Sequence, residues 1–244
     1  MQRDQDIKGF TILELLVVIT IVAIISAISF PNFSKWRTER EVRTATEKVA
    51  SMISNISTQT QRGTFSYSQL MIKIVNINNK KVPVFVSKGM SDKNFKNYLQ
   101  SGQINCPIRN TGYWDKYESS SKNIDGQKYS EFYEFYNPND KVIGEAKIGI
   151  HFSRTSAICF GKGGSYYKAV EALSKASNIN VALDGGVTPN YIVICTEKTA
   201  KDNGFVCPIK GTKLKQPAYL IKWSRFGNVS KFKWKENKNA WERQ

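Results

Sequence analysis

Two hydrophobic patterns succeed one another along the first sixty residues of this chain. From Phe10 to Phe30 the only polar residues are Thr11, Glu14, Thr20, Ser26 and Ser29, and the only charge is that of Glu14. A helix apolar on every side has nowhere to sit in a small soluble domain, and these 21 residues cover roughly 31 Å, about one hydrocarbon thickness. The pattern predicts a membrane-spanning helix. Pro31 has no amide hydrogen for the carbonyl of Ala27, so the helix is expected to kink or loosen there, unless the proline is simply tolerated at the membrane edge. After Asn32 the apolar residues become periodic. Val42, Ala45, Val49, Met52 and Ile56 recur at intervals of three and four with Ile53 beside them, while Arg40, Glu41, Arg43, Glu47 and Lys48 fall elsewhere on the wheel. This predicts an amphipathic helix that ends near Gln61, with Gly63 supplying the closing turn, and that packs on the domain following it. As one rod, residues 10 to 61 would measure about 78 Å.

From Thr64 onward the pattern predicts strands with short helices. Strands are expected over Met71–Ile77 and Val82–Val86, joined through Asn78, Asn79 and Lys80, and over Ile148–Phe152, Thr155–Phe160 and Tyr191–Cys195. Short helices are expected over Asp92–Leu99, capped by Ser91 and closed by Gly102, and over Tyr166–Ala176, capped by Ser165. Tyr113 to Tyr136 reads as a long surface loop leading into a strand. Tyr219–Phe226 and Val229–Lys235 flank Gly227-Asn228, a two-residue hairpin signal. No linker interrupts the region, so it is read as one domain with insertions.

Charge changes this picture at the C-terminus. The 244 residues carry a formal net charge of +16, and Ile209–Gln244 holds ten Lys or Arg against Glu236 and Glu242. Such an excess implies attraction to polyanions and says nothing about fold. Lys231, Lys233 and Lys235 alternate with Phe232 and Trp234, so a strand there puts ammonium groups on one face and aromatics on the other. The expectation is an exposed positive strip, extended by Lys222, Arg225 and Lys238, that could meet DNA backbone; a solvated basic face is the plainer alternative.

Four cysteines, Cys106, Cys159, Cys195 and Cys207, all follow the apolar run. In an oxidising compartment an even count implies two disulfides. Cys195 and Cys207 flank a turn-rich stretch and are the expected pair, which leaves Cys106 with Cys159. Zinc finds no support, because no C-x-x-C spacing occurs and the single histidine, His151, lies near no cysteine in sequence. Catalysis finds little more: no G-x-S-x-G surrounds a serine, and Gly161-Lys162-Gly163-Gly164-Ser165 lacks the spacing of a phosphate loop and reads as a turn. Asp184-Gly185-Gly186 and Asn137-Pro138-Asn139-Asp140 have no calcium-loop pattern and read as turns. Neither an enzyme nor a resident cofactor or metal is expected.

The N-terminus itself resembles a known family. Lys8-Gly9-Phe10-Thr11-Ile12-Leu13-Glu14, with an unbroken apolar run to Pro31, is similar to the start of type IV pilins and pseudopilins. The resemblance covers about the first 35 residues. It implies that residues 1–9 are a leader removed by a prepilin peptidase between Gly9 and Phe10, and that the new N-terminal Phe10 is methylated. It also implies a partner for Glu14. An acid in hydrocarbon costs a few kcal/mol, and cleavage would create an amine about 6 Å along the axis from it. In a staggered bundle the amine of one subunit would meet the Glu14 of the next; the alternative is a carboxyl that reaches the membrane interface. An ordinary secretory signal fits less well, since its apolar core is shorter and holds no acid. Arg3 and Lys8 precede the run and Lys35, Arg37, Arg40 and Arg43 follow it, so orientation rests on the resemblance and not on charge.

The expected architecture is therefore α+β: a leader (1–9), a transmembrane and assembly helix (10–33), an amphipathic continuation (34–62) and a β-rich, antiparallel domain (63–244) with a basic C-terminal hairpin. The implied role is a structural subunit of a type IV pilus, a minor pilin by its size, or a pseudopilin of a type II secretion system. Its implied partners are other pilin subunits, the peptidase and the inner membrane before export to the cell surface. Minor pilins of the FimT/GspH type also resemble it in having a basic C-terminal region, although their Gly-Arg-x-Arg tail signature is absent and Arg225-Phe226-Gly227 does not match it. A membrane-tethered hydrolase is the remaining alternative.

Overall fold

The structure is a computed structural model that describes residues 11–77, 80–100, 106, 132–138, 147–151, 155–168 and 190–244; for 27–32, 76–77, 80–81, 97–100, 132–135 and 166–168 it describes the backbone alone. It divides into two units, Met1–Arg40 and Glu41–Gln244.

Helix α1 covers Ile12–Gln61. Its assignment runs unbroken through Pro31, because one missing amide removes a single rung of the ladder while the turns on either side keep theirs. Within the second unit its apolar stripe behaves as the periodicity requires. Val42, Ala45, Val49, Met52, Ile53 and Ile56 are each exposed by 1% or less. The polar residues on the same face are small hydroxyls with partners: Thr46 Oγ1 donates to the Val42 carbonyl at 2.8 Å, and Thr60 Oγ1 meets Ser68 Oγ at 2.6 Å. The helix closes after Gln61, where Gly63 takes a φ of +76°.

Two five-stranded antiparallel sheets follow. The first has the order β3-β2-β1-β5-β6, made of β1 (Tyr67–Ile77), β2 (Lys80–Met90), β3 (Phe132–Tyr136), β5 (Ser156–Gly161) and β6 (Ser165–Lys168). The second has the order β10-β9-β8-β7-β4, made of β4 (Ile148–Ile150), β7 (Tyr191–Thr196), β8 (Ala218–Trp223), β9 (Val229–Lys235) and β10 (Ala240–Arg243). The alternation of the strands sorts the core into three layers. One face of each sheet meets the stripe of α1 in a central cluster that includes Leu70, Phe85 and Ile158 of the first sheet and Ile192, Ile221 and Trp223 of the second. The other face of the first sheet is covered around Cys106 and by Phe95 of α2 (Asp92–Gln100). The other face of the second is covered by Cys207, Leu214 and the short helix α3 (Glu197–Lys201).

Each outer layer holds one disulfide, Cys106–Cys159 on the first sheet and Cys195–Cys207 on the second. Both tie a cysteine outside the strands to one in a buried strand; Cys207 N–H also donates to the Ile150 carbonyl at 2.8 Å.

Three local expectations are corrected. Residues 165–168 form strand β6 and not the start of a helix: Gly163 and Gly164, at φ of +83° and +82°, turn the chain back so that Tyr166 and Tyr167 pair with Phe160 and Cys159. The β8–β9 connection is five residues long and not two, since Trp223 pairs with Val229 and the Ser224 hydroxyl accepts from the amides of Phe226 and Asn228. Finally, β4 ends at Ile150 and not at Phe152. His151 explains this: its amide still donates to the Val193 carbonyl, but the Val193 amide donates to the imidazole Nδ1 at 3.0 Å, which diverts the ladder. Residues 102, 113–131, 139–140, 169–176 and 184–186, on which other expectations fall, lie outside the described residues.

Candidate functional site

The described side chains of the first unit present an apolar surface. Ile12 is 86% exposed and Leu13 75%, and every large apolar residue from Leu15 to Ile25 is exposed as well. Apolar surface on that scale marks contact with lipid or with other subunits. Among the described residues no helix is long and apolar enough to cross a membrane.

The structure places Glu14 in the first turn of α1. There its Oε2 accepts from the Thr11 amide at 3.2 Å and from the Thr11 hydroxyl at 3.3 Å, and the Thr11 hydroxyl accepts from the Glu14 amide at 3.2 Å. This reciprocal arrangement is a capping box, which satisfies donors that the start of a helix otherwise leaves unpaired. Sequence reasoning assigned Glu14 a partner in another subunit and overlooked Thr11. The signal was present as Thr-x-x-Glu, the spacing that lets the two side chains bond back to each other's amides. Both bonds use Oε2, so Oε1 has no donor among the described residues. Gly9 and Phe10, the expected cleavage pair, lie outside the described residues.

The C-terminal hairpin separates its lysines from its aromatics as strand geometry requires, yet the lysines do not form the expected free strip. Lys231 and Lys233 stand opposite Ile221 and Tyr219, so their face is the one that turns toward α1. Lys231 Nζ lies 2.5 Å from the Glu47 carboxylate of that helix. On β10 Glu242 stands opposite Lys233, 3.8 Å from Lys235 and bonded to Lys238, whose ammonium holds its carboxyl below the usual carboxylate range. Lys222 pairs with Tyr191 and so faces the other side of the sheet. Lys222 and Lys233 also have interactions of their own. On the aromatic face Trp234 is buried and meets Trp241 edge-on at 5.2 Å, and Trp241 Nε1 donates to the Ile209 carbonyl.

Arg225 is placed differently. It sits on the β8–β9 loop with its guanidinium 4.7 Å from the Phe226 ring, and both residues are exposed. The loop is tied to α1. Ser57 Oγ donates to the Phe226 carbonyl at 2.7 Å, Gln61 donates to the same oxygen, and Gly227 fits so closely that a Cβ there would stand 2.1 Å from Ser57.

His151 is a core residue. Burial lowers its pKa to about 3, its Nδ1 accepts from Val193, and its ring stacks on Tyr191 at 5.0 Å. A neutral, hydrogen-bonded imidazole of this kind stabilises the sheet edge. Among the described residues no group of three His, Cys, Asp or Glu could hold a metal ion.

No curated protein and no solved structure matches the chain. Residues 5–30 match the family model for the prokaryotic N-terminal methylation motif, so the N-terminus of the chain is similar to that of proteins processed by a prepilin peptidase and assembled with other pilins.

Proposed function

We propose that the chain is a membrane-anchored subunit of a type IV pilus or a related filament, acting by assembly and not by catalysis. In this reading the peptidase cuts between Gly9 and Phe10 and methylates Phe10, and Phe10–Phe30 holds the trimmed subunit in the inner membrane until it packs into the filament. The observation that carries it is the bare apolar surface from Ile12 to Ile25 in a chain whose second unit buries its own apolar residues well. Glu14 can serve twice: Oε2 caps its own helix, and Oε1 remains for the amine of the neighbouring Phe10. Co-expression with a prepilin peptidase tests the proposal. The mature chain should begin at a methylated Phe10, and Glu14→Leu should be cut yet fail to enter filaments; a different N-terminus, or normal incorporation of the variant, refutes it. Size favours a minor pilin over a major one, and a secretion pseudopilin is the closest alternative.

A second reading, binding of DNA by the basic C-terminal region, is favoured by the exposed Arg225–Phe226 pair, which offers a charge for phosphate and a ring for a base. Binding should weaken with salt by nearly one unit of log-log slope for each phosphate contact, and Arg225→Ala should reduce that slope. An unchanged slope removes this reading.

A further inference from the structure

We infer that Arg62 and Lys162 bind the phosphates of a DNA backbone together with Arg225, at one end of the second unit where three segments far apart in sequence meet around the Phe226 ring. This rests on the reading of the Arg225–Phe226 pair as a DNA contact, and extends that contact beyond the C-terminal region. The three cations reach the ring by different routes. The Arg225 guanidinium stands over it, 4.7 Å from its centre. The glycine turn between β5 and β6 lies against the ring as well: a Cβ on Gly164 would stand 3.4 Å from a ring carbon, and Lys162 is two residues before it. The Phe226 carbonyl accepts from Ser57 at 2.7 Å and from Gln61, and Arg62 follows Gln61. Consecutive Cα atoms are about 3.8 Å apart, so the backbone of each cation lies within about 8 Å of a residue that touches Phe226, or of Phe226 itself.

Charge decides what this end can meet. Arg62, Lys162 and Arg225 are all exposed, and none of their side chains has a hydrogen bond or a close ion pair among the described residues. The Lys162 amide donates to the Ser66 carbonyl at 2.9 Å, and Ser66 Oγ donates to Asp92 at 3.0 Å, which brings the start of α2 to the same place. Residues 57–66, 90–96, 161–165 and 223–229 thus gather Arg62, Lys93, Lys96, Lys162 and Arg225 against Asp92 alone. That carboxylate is already engaged. Lys96 lies 2.8 Å from it, and Lys162 acts on it only at longer range. The hairpin differs, because Lys231 meets Glu47 there and Lys235 and Lys238 meet Glu242. A polymer with a phosphate at every step can meet several separate cations at once and releases counterions at each of them, which a small anion cannot do. Phe226, 49% exposed and tied to α1 through its carbonyl, fixes Arg225 at the surface, and a guanidinium placed over a ring keeps N–H edges for a phosphate.

The test titrates fluorescein-labelled duplex DNA with the full chain in detergent and follows anisotropy at rising salt. Arg62→Gln, Lys162→Gln and Arg225→Gln should each make the log-log slope shallower by about 0.9, and the three together by about 2.7. Arg62→Lys and Arg225→Lys keep the charge and should keep the slope. Lys231→Gln should leave it unchanged, since Glu47 already holds that lysine. A slope unaltered in both Arg62→Gln and Lys162→Gln overturns the inference and leaves the DNA reading to Arg225 alone. A loss in Lys231→Gln equal to that in Lys162→Gln places phosphates on the hairpin and overturns it too. No salt-dependent binding by the unaltered chain defeats the DNA reading and the inference together.

Discussion

Replacing Gly227 by alanine tests whether the basic loop is seated on α1. Gly227 adopts a φ of +76°, and an added Cβ would meet both Cβ and Oγ of Ser57 at 2.1 Å. Gly163 is the control, because at φ +83° it has a similar backbone and nothing within 4 Å. Gly163→Ala should therefore cost only the left-handed conformation, about 1 kcal/mol. Gly227→Ala adds overpacking of about 1–3 kcal/mol and most of the hydrogen bond from Ser57 to the Phe226 carbonyl, about 1 kcal/mol, for roughly 3–5 kcal/mol in all. Urea unfolding of the full chain in detergent, followed by tryptophan fluorescence, would report the difference, since Trp223 and Trp234 are only 2% and 1% exposed. Adding Ser57→Gly should recover part of the loss by removing the atoms that clash. If the two alanine variants differ by less than about 0.5 kcal/mol, the loop does not rest on Ser57 and the placement of Arg225 fails with it.

Two further outcomes follow from the electrostatics. Burial lowers the pKa of His151 to about 3 from an ordinary 6.5, so the folded chain keeps the imidazole neutral while the unfolded chain takes up a proton below pH 6.5. Stability is then full above pH 6.5 and falls on acidification toward pH 3, by up to about 1.4 kcal/mol per pH unit; His151→Gln should flatten the measured slope between pH 6 and 4 by about one proton, and an unchanged slope would show that the histidine is not buried. For Lys231 and Glu47, a double-mutant cycle with Lys231→Met and Glu47→Gln should give a coupling of only about 0.2–1 kcal/mol that shrinks in salt, because both side chains are about a third to a half exposed. Coupling of zero at low salt would show that Glu47 does not hold Lys231.

What the sequence determined by itself was whatever depends on neighbours along the chain. The uniform apolar run, its change to a three-and-four period at Val42, the end of α1 at Gln61 and the alternation of lysine with aromatic on β9 each follow from local geometry, and each is found where the pattern puts it. The capping box of Thr11 and Glu14 was equally local. Its signature is Thr-x-x-Glu at residues 11–14.

The tertiary structure decided everything that depends on which face meets which. Period two places Lys231, Lys233 and Lys235 together, but only the packing of the second sheet on α1 turns that face toward Glu47 and away from a free strip. Lys222 looked like part of the same set, and the pairing of β8 with β7 moved it to the other side. The residues at 165–168 could begin a helix or a strand, and the choice fell to the strand because Cys159 and Phe160 offered a sheet edge across a glycine turn. Such choices have no signature in the sequence: a strand's faces are equivalent until a partner covers one of them.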